Sequence, residues 1–206
     1  MKHIVLAITG ASGAPYAQRL ARLLVERPDV HLHVVVSPFG QRILADEVGL
    51  RRFSLEALLG RSAPNATLYS HNDSGSRLAS GSFLTHGMVV CPCSSNTLAA
   101  IAAGIADNLV ARAAMVTLKE ARRLILVPRE MPLSQIEIRA MLTVSQAGGI
   151  ICPACPGFYM NPQSVQELVD FVAGRVLDLL GLEHGLRTRW SPLERPGRAG
   201  GSEVAE

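Results

Sequence analysis

Short, almost unbroken apolar runs recur along the chain at 4–8, 32–36, 88–91, 124–127 and 149–152. Runs of this length, rich in Val, Ile and Leu, suit strands that are covered on both faces. A weaker run lies at 67–70. Between them apolar residues return every three or four positions, at 15–26, 39–48, 95–121, 134–147 and 164–180. That spacing predicts helices, the third of them broken at Ala106-Asp107. Strand and helix alternate, so the expected fold is α/β, a flavodoxin-like or Rossmann doubly wound parallel sheet with helices on both faces. Ser134 with Glu137 and Ser164 with Glu167 spell capping boxes, and Gly181 is a fitting stop for the last helix.

Two helical segments carry more than a fold prediction. Segment 97–118 is apolar nearly all round, with Asp107 and Arg112 its only charges. A helix without a polar face is buried on several sides, which points to subunit contacts as well as core. The last helix has an apolar stripe through Val165, Leu168, Val169, Val172, Val176, Leu179 and Leu180, with Arg175 at its edge. There the arginine stem can line the core margin, or the guanidinium can reach a ligand.

Composition narrows the class. A chain of 206 residues that is 48% hydrophobic suffices for one full core, expected over 1–190, and with 4% aromatics that core is built from Ala, Val, Leu and Ile. The stretch 191–206 is rich in Pro, Gly and charge and is expected to be a mobile tail. No apolar stretch reaches the roughly 20 residues of a membrane span. A net charge of +3 with scattered bases gives no nucleic-acid footprint. The first residues enter a strand without signal-peptide architecture, so the cytoplasm is the expected compartment. Cys91-Pro92-Cys93 and Cys152-Pro153-Ala154-Cys155 admit a zinc or redox reading, but each pair ends an apolar strand, where cysteine is ordinary packing.

The first strand leads through Thr9-Gly10-Ala11-Ser12-Gly13 into a helix. A tight turn of small residues before a helix N-terminus makes a phosphate pocket, because backbone N–H groups can approach an anion closely. The ligand class follows from what is missing. A dinucleotide fingerprint needs G-x-G-x-x-G and an acidic residue closing the second strand. Here only Gly10 and Gly13 are present, and the second strand closes on Ser37. No Gly-Lys-Ser/Thr follows the turn, which excludes a P-loop. A hydroxyl-lined turn suits a single phosphate such as that of flavin mononucleotide, with Ser37 and Ser94-Ser95-Asn96-Thr97 adding donors at strand ends. Ser94 or Ser95 also reads as a helix cap, and both roles can hold together.

Together these stretches resemble the UbiX family of flavin prenyltransferases. The resemblance rests on T-G-A-S-G-A at 9–14, A-S-G-S-F at 79–83, C-P-C-S at 91–94, R-A-A-M-V-T-L-K-E at 112–120, V-P-R-E-M-P at 127–132 and P-G-F-Y-x-x-P-Q-S at 156–164. It implies a homo-oligomer, typically a dodecamer, that binds FMN between subunits. Reduced FMN is alkylated by dimethylallyl monophosphate without a metal, and prenylated FMN passes to a UbiD-type decarboxylase. It further implies that Gly10, Ala11, Ser12, Ser37, Ser94, Ser95, Asn96, Thr97 and Arg129 hold FMN. Lys119, Arg129, Tyr159 and Arg175 map to the grip on the prenyl phosphate, and Trp190 to a residue closing over the site. Glu130, Glu47 and Ser12 fall at the reaction centre. Some members carry an aromatic residue shortly after Asn72-Asp73, where this chain has Ser74.

The chemistry fits those residue types. Lys and Arg can neutralise the departing phosphate, a task that most prenyl-diphosphate enzymes give to magnesium on clustered aspartates. No D-D-x-x-D occurs here. Glu130 is the first choice as acid/base, with an ion pair to a neighbouring base as its blander role. Two other readings stay open at this stage. One is an FMN-dependent cysteine decarboxylase, whose P-A-S-A-N-T segment resembles 92–97, although its P-x-M-N-x-x-M-W clamp is not found at 128–132. The other is a non-catalytic FMN-binding subunit of a decarboxylase complex.

Overall fold

A computed structural model describes residues 1–189 of the chain. Trp190 and the predicted tail lie outside the described residues. Six strands form one wholly parallel sheet: β1 (Lys2–Ile8), β2 (Val30–Val36), β3 (Ala66–Tyr69), β4 (Gly87–Cys93), β5 (Arg123–Pro128) and β6 (Ile150–Ile151). Their order is β3-β2-β1-β4-β5-β6. Of the two common doubly wound orders this is the Rossmann one, and its topological switch point falls between β1 and β4.

Seven helices cover the sheet: α1 (Ala14–Val25), α2 (Pro38–Val48), α3 (Leu55–Leu59), α4 (Ser95–Ala102), α5 (Leu109–Lys119), α6 (Gln135–Gln146) and α7 (Val165–Leu180). Strand side chains alternate between the two faces. Ile4, Leu6 and Ile8 of β1 pack with α1, α3 and α7 on one side. Val5 and Ala7 pack with α4, α5 and α6 on the other. Both layers are aliphatic, as the scarcity of aromatics requires.

Several boundaries differ from the sequence expectation for identifiable reasons. The break expected at Ala106-Asp107 falls within a wider exposed loop at 103–107 that separates α4 from α5. Gly104 takes a left-handed φ of 72°, and the Asn108 side chain caps α5 by accepting from the Ala111 N–H at 3.1 Å. Ile105 therefore stands in the open. The short α3, capped by Ser54 and stopped by Gly60, and the 3₁₀ turn Arg77–Ala79 are too brief to leave a period. The α6 capping box is complete. That of α7 is half formed: Ser164 accepts from the Glu167 N–H, but the Glu167 carboxylate takes the Gln163 N–H instead of that of Ser164.

One polar cluster lies on the α5 side of the sheet. His3 Nδ1 sits 2.9 Å from His33 Nε2, and His33 Nδ1 sits 3.0 Å from the Tyr69 hydroxyl. Phe83 meets His33 edge-on and carries the Arg77 guanidinium on its face. His33 is buried, and burial pushes its pKa down to about 3, helped by His31, His3 and Arg77.

Candidate active site

Parallel strands all end on the same side, so the segments after β1, β2, β4 and β5 converge at one rim. Thr9 ties two of them together. Its hydroxyl donates to the Pro92 carbonyl and accepts from the Ser94 N–H, both at 2.8 Å. In the sequence Thr9 stands only within a motif, and its one signal is a hydroxyl between a strand and a glycine turn.

The turn at 10–13 is built on close approach. A Cβ on Gly10 would stand 2.5 Å from the Phe39 Cβ, so the turn can press on the start of α2 only as glycine. Gly13 has a φ of 128°, which L side chains rarely adopt. At the α1 N-terminus, behind the turn expected to hold the phosphate, a protein side chain supplies the acceptor. The N–H groups of Gly13 and Ala14 both donate to Glu47 Oε2, at 2.9 and 2.8 Å. A carboxylate from the end of α2 already occupies the anion position of α1 and caps a helix that has no side-chain cap of its own.

The anion donors lie elsewhere on the rim. Ser37 caps α2 by accepting from the Gly40 N–H at 3.0 Å, and Ser94 caps α4 by accepting from the Thr97 N–H at 3.3 Å. Among the described residues, the N–H groups of Gly10, Ala11, Ser12, Phe39, Ser95 and Asn96 donate to no protein acceptor. Two helix N-termini and a small-residue turn therefore point unpaired N–H groups into the crevice beside the switch point. That donor set fits a mononucleotide phosphate.

Arg129 and Glu130 follow β5 and diverge. Arg129 Nε donates to the Ser12 carbonyl at 3.2 Å, folding the guanidinium over the first turn. Glu130 Oε2 accepts from the Ser95 hydroxyl at 3.0 Å. Among the described residues Glu130 has that hydroxyl as its partner rather than a base.

Lys119 is not brought to this rim within one chain. Lys119 ends α5, four residues before β5 begins, and its Nζ lies 2.6 Å from Glu120 Oε1. It thus sits near the opposite end of a strand that is about 20 Å long, with Arg129 at the far end. Tyr159 is exposed in the loop before α7 and packs edge-on to Phe171. Arg175 at the edge of the apolar stripe is half-exposed, and its Nη1 pairs with Asp178 Oδ2 at 3.1 Å.

The cysteines divide by depth. Burial raises the thiols of Cys91 and Cys93 far above their ordinary value, Cys93 to about 12. Cys152 is also pushed up by burial, against the lowering charge of Arg175. Cys155 is exposed. Among the described residues no three His, Cys, Asp or Glu side chains converge as metal ligands. No helix is long and apolar enough to cross a membrane among them either.

A family described as Flavoprotein matches residues 1–177. Flavin prenyltransferase UbiX of Pseudomonas aeruginosa is 43% identical over 197 residues, covering 92% of this chain and 94% of the relative. A crystal structure of AnUbiX (PadA1) in complex with FMN and dimethylallyl pyrophosphate is 40% identical and superposes with a TM-score of 0.85, covering 94% of this chain and 99% of that one. A dodecameric FMN-dependent UbiX-like decarboxylase from Escherichia coli O157:H7 is 44% identical with a TM-score of 0.83, covering 93% and 100%. With a family match over most of its length and relatives at least 40% identical across more than nine-tenths of it, the chain is a flavoprotein and belongs to the UbiX family of flavin prenyltransferases.

Proposed function

We propose that this chain transfers the dimethylallyl group of dimethylallyl monophosphate to reduced FMN and passes the prenylated FMN to a UbiD-type decarboxylase. The observation that carries the reading is the rim itself: unpaired N–H groups at the switch point, with Arg129 on the Ser12 turn and Glu130 on Ser95 directly beside them. Reduced FMN supplies the electron-rich ring that takes the allyl group. The protein holds the FMN phosphate on the N–H groups of Gly10, Ala11 and Ser12 and at the capped N-termini of Ser37 and of Ser94 to Thr97. Arg129, Arg175, Lys119 and the Tyr159 hydroxyl receive the phosphate that departs with the electron pair of the broken C–O bond. Fixed donors aimed at developing charge are usually the largest catalytic contribution. Glu130 moves the proton, with the Ser95 hydroxyl orienting its carboxylate. Glu47 acts by fixing the Ser12 turn from behind.

Lys119 and Arg129 lie at opposite ends of the sheet, so the phosphate grip is completed by further copies of the chain. We propose a homo-oligomer of the dodecameric kind, whose contacts cover the exposed Phe39, Met131, Ile136 and Phe158. The cytoplasm is the compartment this reading favours, in keeping with four free cysteine thiols.

The test is the mass of the flavin extracted after incubation with reduced FMN and dimethylallyl monophosphate in EDTA. A five-carbon gain without added metal is expected. Unmodified FMN would leave a flavin-binding subunit, and decarboxylation of a peptidyl cysteine would move the chain to the other flavoprotein chemistry.

A further inference from the structure

We propose that Asp178 is the positioning residue for Arg175, a role that rests on the reading of Arg175 as a ligand of the prenyl phosphate. The two residues are i and i+3 on α7 and so share a face. The Asp178 side chain is only 16% exposed, yet it is a carboxylate, which is costly to bury without partners. Its partners are all cationic or potentially so. Arg175 Nη1 binds Oδ2 at 3.1 Å, while Arg189 Nε and Nη2 both bind Oδ1, at 2.9 and 2.8 Å. His184 Nε2 stands 3.3 Å from the same Oδ1, without hydrogen-bond alignment. Arg189 also reaches Glu183 at 3.2 Å.

One carboxylate therefore fixes two guanidinium groups through different oxygens. Burial alone would raise the Asp178 carboxyl, but the Arg189 hydrogen bond and the charges of His184, Arg189 and Arg175 outweigh it, and the group is held below its ordinary value. An arginine free on the surface must be ordered when it meets a phosphate, and that ordering weakens binding. Asp178 does the ordering in advance: it pins one edge of the Arg175 fork and leaves the rest for the ligand. Its negative charge works the other way, against an anion nearby. The Arg189 guanidinium and His184 beside the same carboxylate offset that charge, whereas the direction imposed on Arg175 by the hydrogen bond remains. Positioning is the larger effect.

The experiment measures steady-state prenylation with saturating reduced FMN and varied dimethylallyl monophosphate, alongside FMN affinity and melting temperature. Asp178→Asn should raise KM for dimethylallyl monophosphate about tenfold, with kcat and FMN affinity within about twofold of wild type. Asp178→Glu, which keeps the charge but displaces it by one methylene, should fall between the two. In an Arg175→Ala background Asp178→Asn should add nothing. If Asp178→Asn does not fold, the KM of Asp178→Glu decides, and a wild-type value overturns the proposal. A raised KM in Arg175→Ala with an unchanged KM in Asp178→Asn also overturns it, while leaving Arg175 on the phosphate. An unchanged KM in Arg175→Ala overturns the reading of Arg175 and this proposal with it. Loss of FMN affinity and melting temperature in Asp178→Asn without a selective rise in KM makes Asp178 a structural ion-pair centre only.

Discussion

Glu130 and Glu47 are both carboxylates of the rim, but their partners give them different tasks. Glu130 rests on one hydroxyl, a contact that Gln can keep while losing the proton. Glu130→Gln should bind FMN and melt normally, yet form prenylated FMN about 100- to 10,000-fold more slowly. Product mass under single turnover checks this; near-normal formation would move the acid/base role elsewhere. Glu47 instead satisfies two backbone N–H groups of α1. Glu47→Ala should cost about 1–2 kcal/mol, as lost helix caps do, seen as a lower melting temperature. His33 shifts in the same direction as a paired carboxylate, but because burial disfavours its charged form. Its pKa is about 3 in the fold, where it faces His3, His31, Tyr69 and Arg77, and near the ordinary value when unfolded. Its contribution to stability is therefore full above about pH 6.5 and is lost progressively as pH falls toward about 3. Melting curves from pH 7 to 4 should show this decline, and His33→Leu should flatten it.

At the scale of elements, the sequence makes the sheet and every described helix but α3 readable, because their apolar patterns run long enough to show. The second-strand end at Ser37 and the α4 cap at Ser94 were also readable, since a cap lies within three residues of what it binds. Contacts across long separations were not. Glu47 lies 34 residues from the N–H it caps, and nothing local marks that pairing. The same holds for Thr9, which meets Pro92 across 83 residues. The shortness of α3 hid it for another reason: five residues do not complete a second turn. α6 shows an element only partly explained by its own chain. Ile136, Ile138 and Leu142 remain exposed along it, next to exposed Met131 and Leu133. Ile136→Asp should reduce the assembly to smaller species by light scattering and remove prenylation with it, while leaving the monomer folded.

For the whole molecule, the separation of Lys119 from Arg129 carries the proposal that activity belongs to the assembly. Lys119→Ala and Arg129→Ala oligomers should each be inactive. Dissociated and reassembled together, they should regain a fraction of wild-type activity, because some sites then draw an intact residue from each variant. A mixture as inactive as its parts would show that both residues serve within one copy. The strand order adds a different consequence through Glu47. This sheet has the order that elsewhere receives dinucleotides with the pyrophosphate against the first helix. Here that berth is taken from within by a side chain of the protein itself. A ligand with one phosphate can settle on the neighbouring N–H groups, but a second phosphate reaching for α1 meets a negative charge already installed. Glu47 is thus an internal tenant of the first helix, a physical reason for this sheet to favour a nucleotide with one phosphate over one with two.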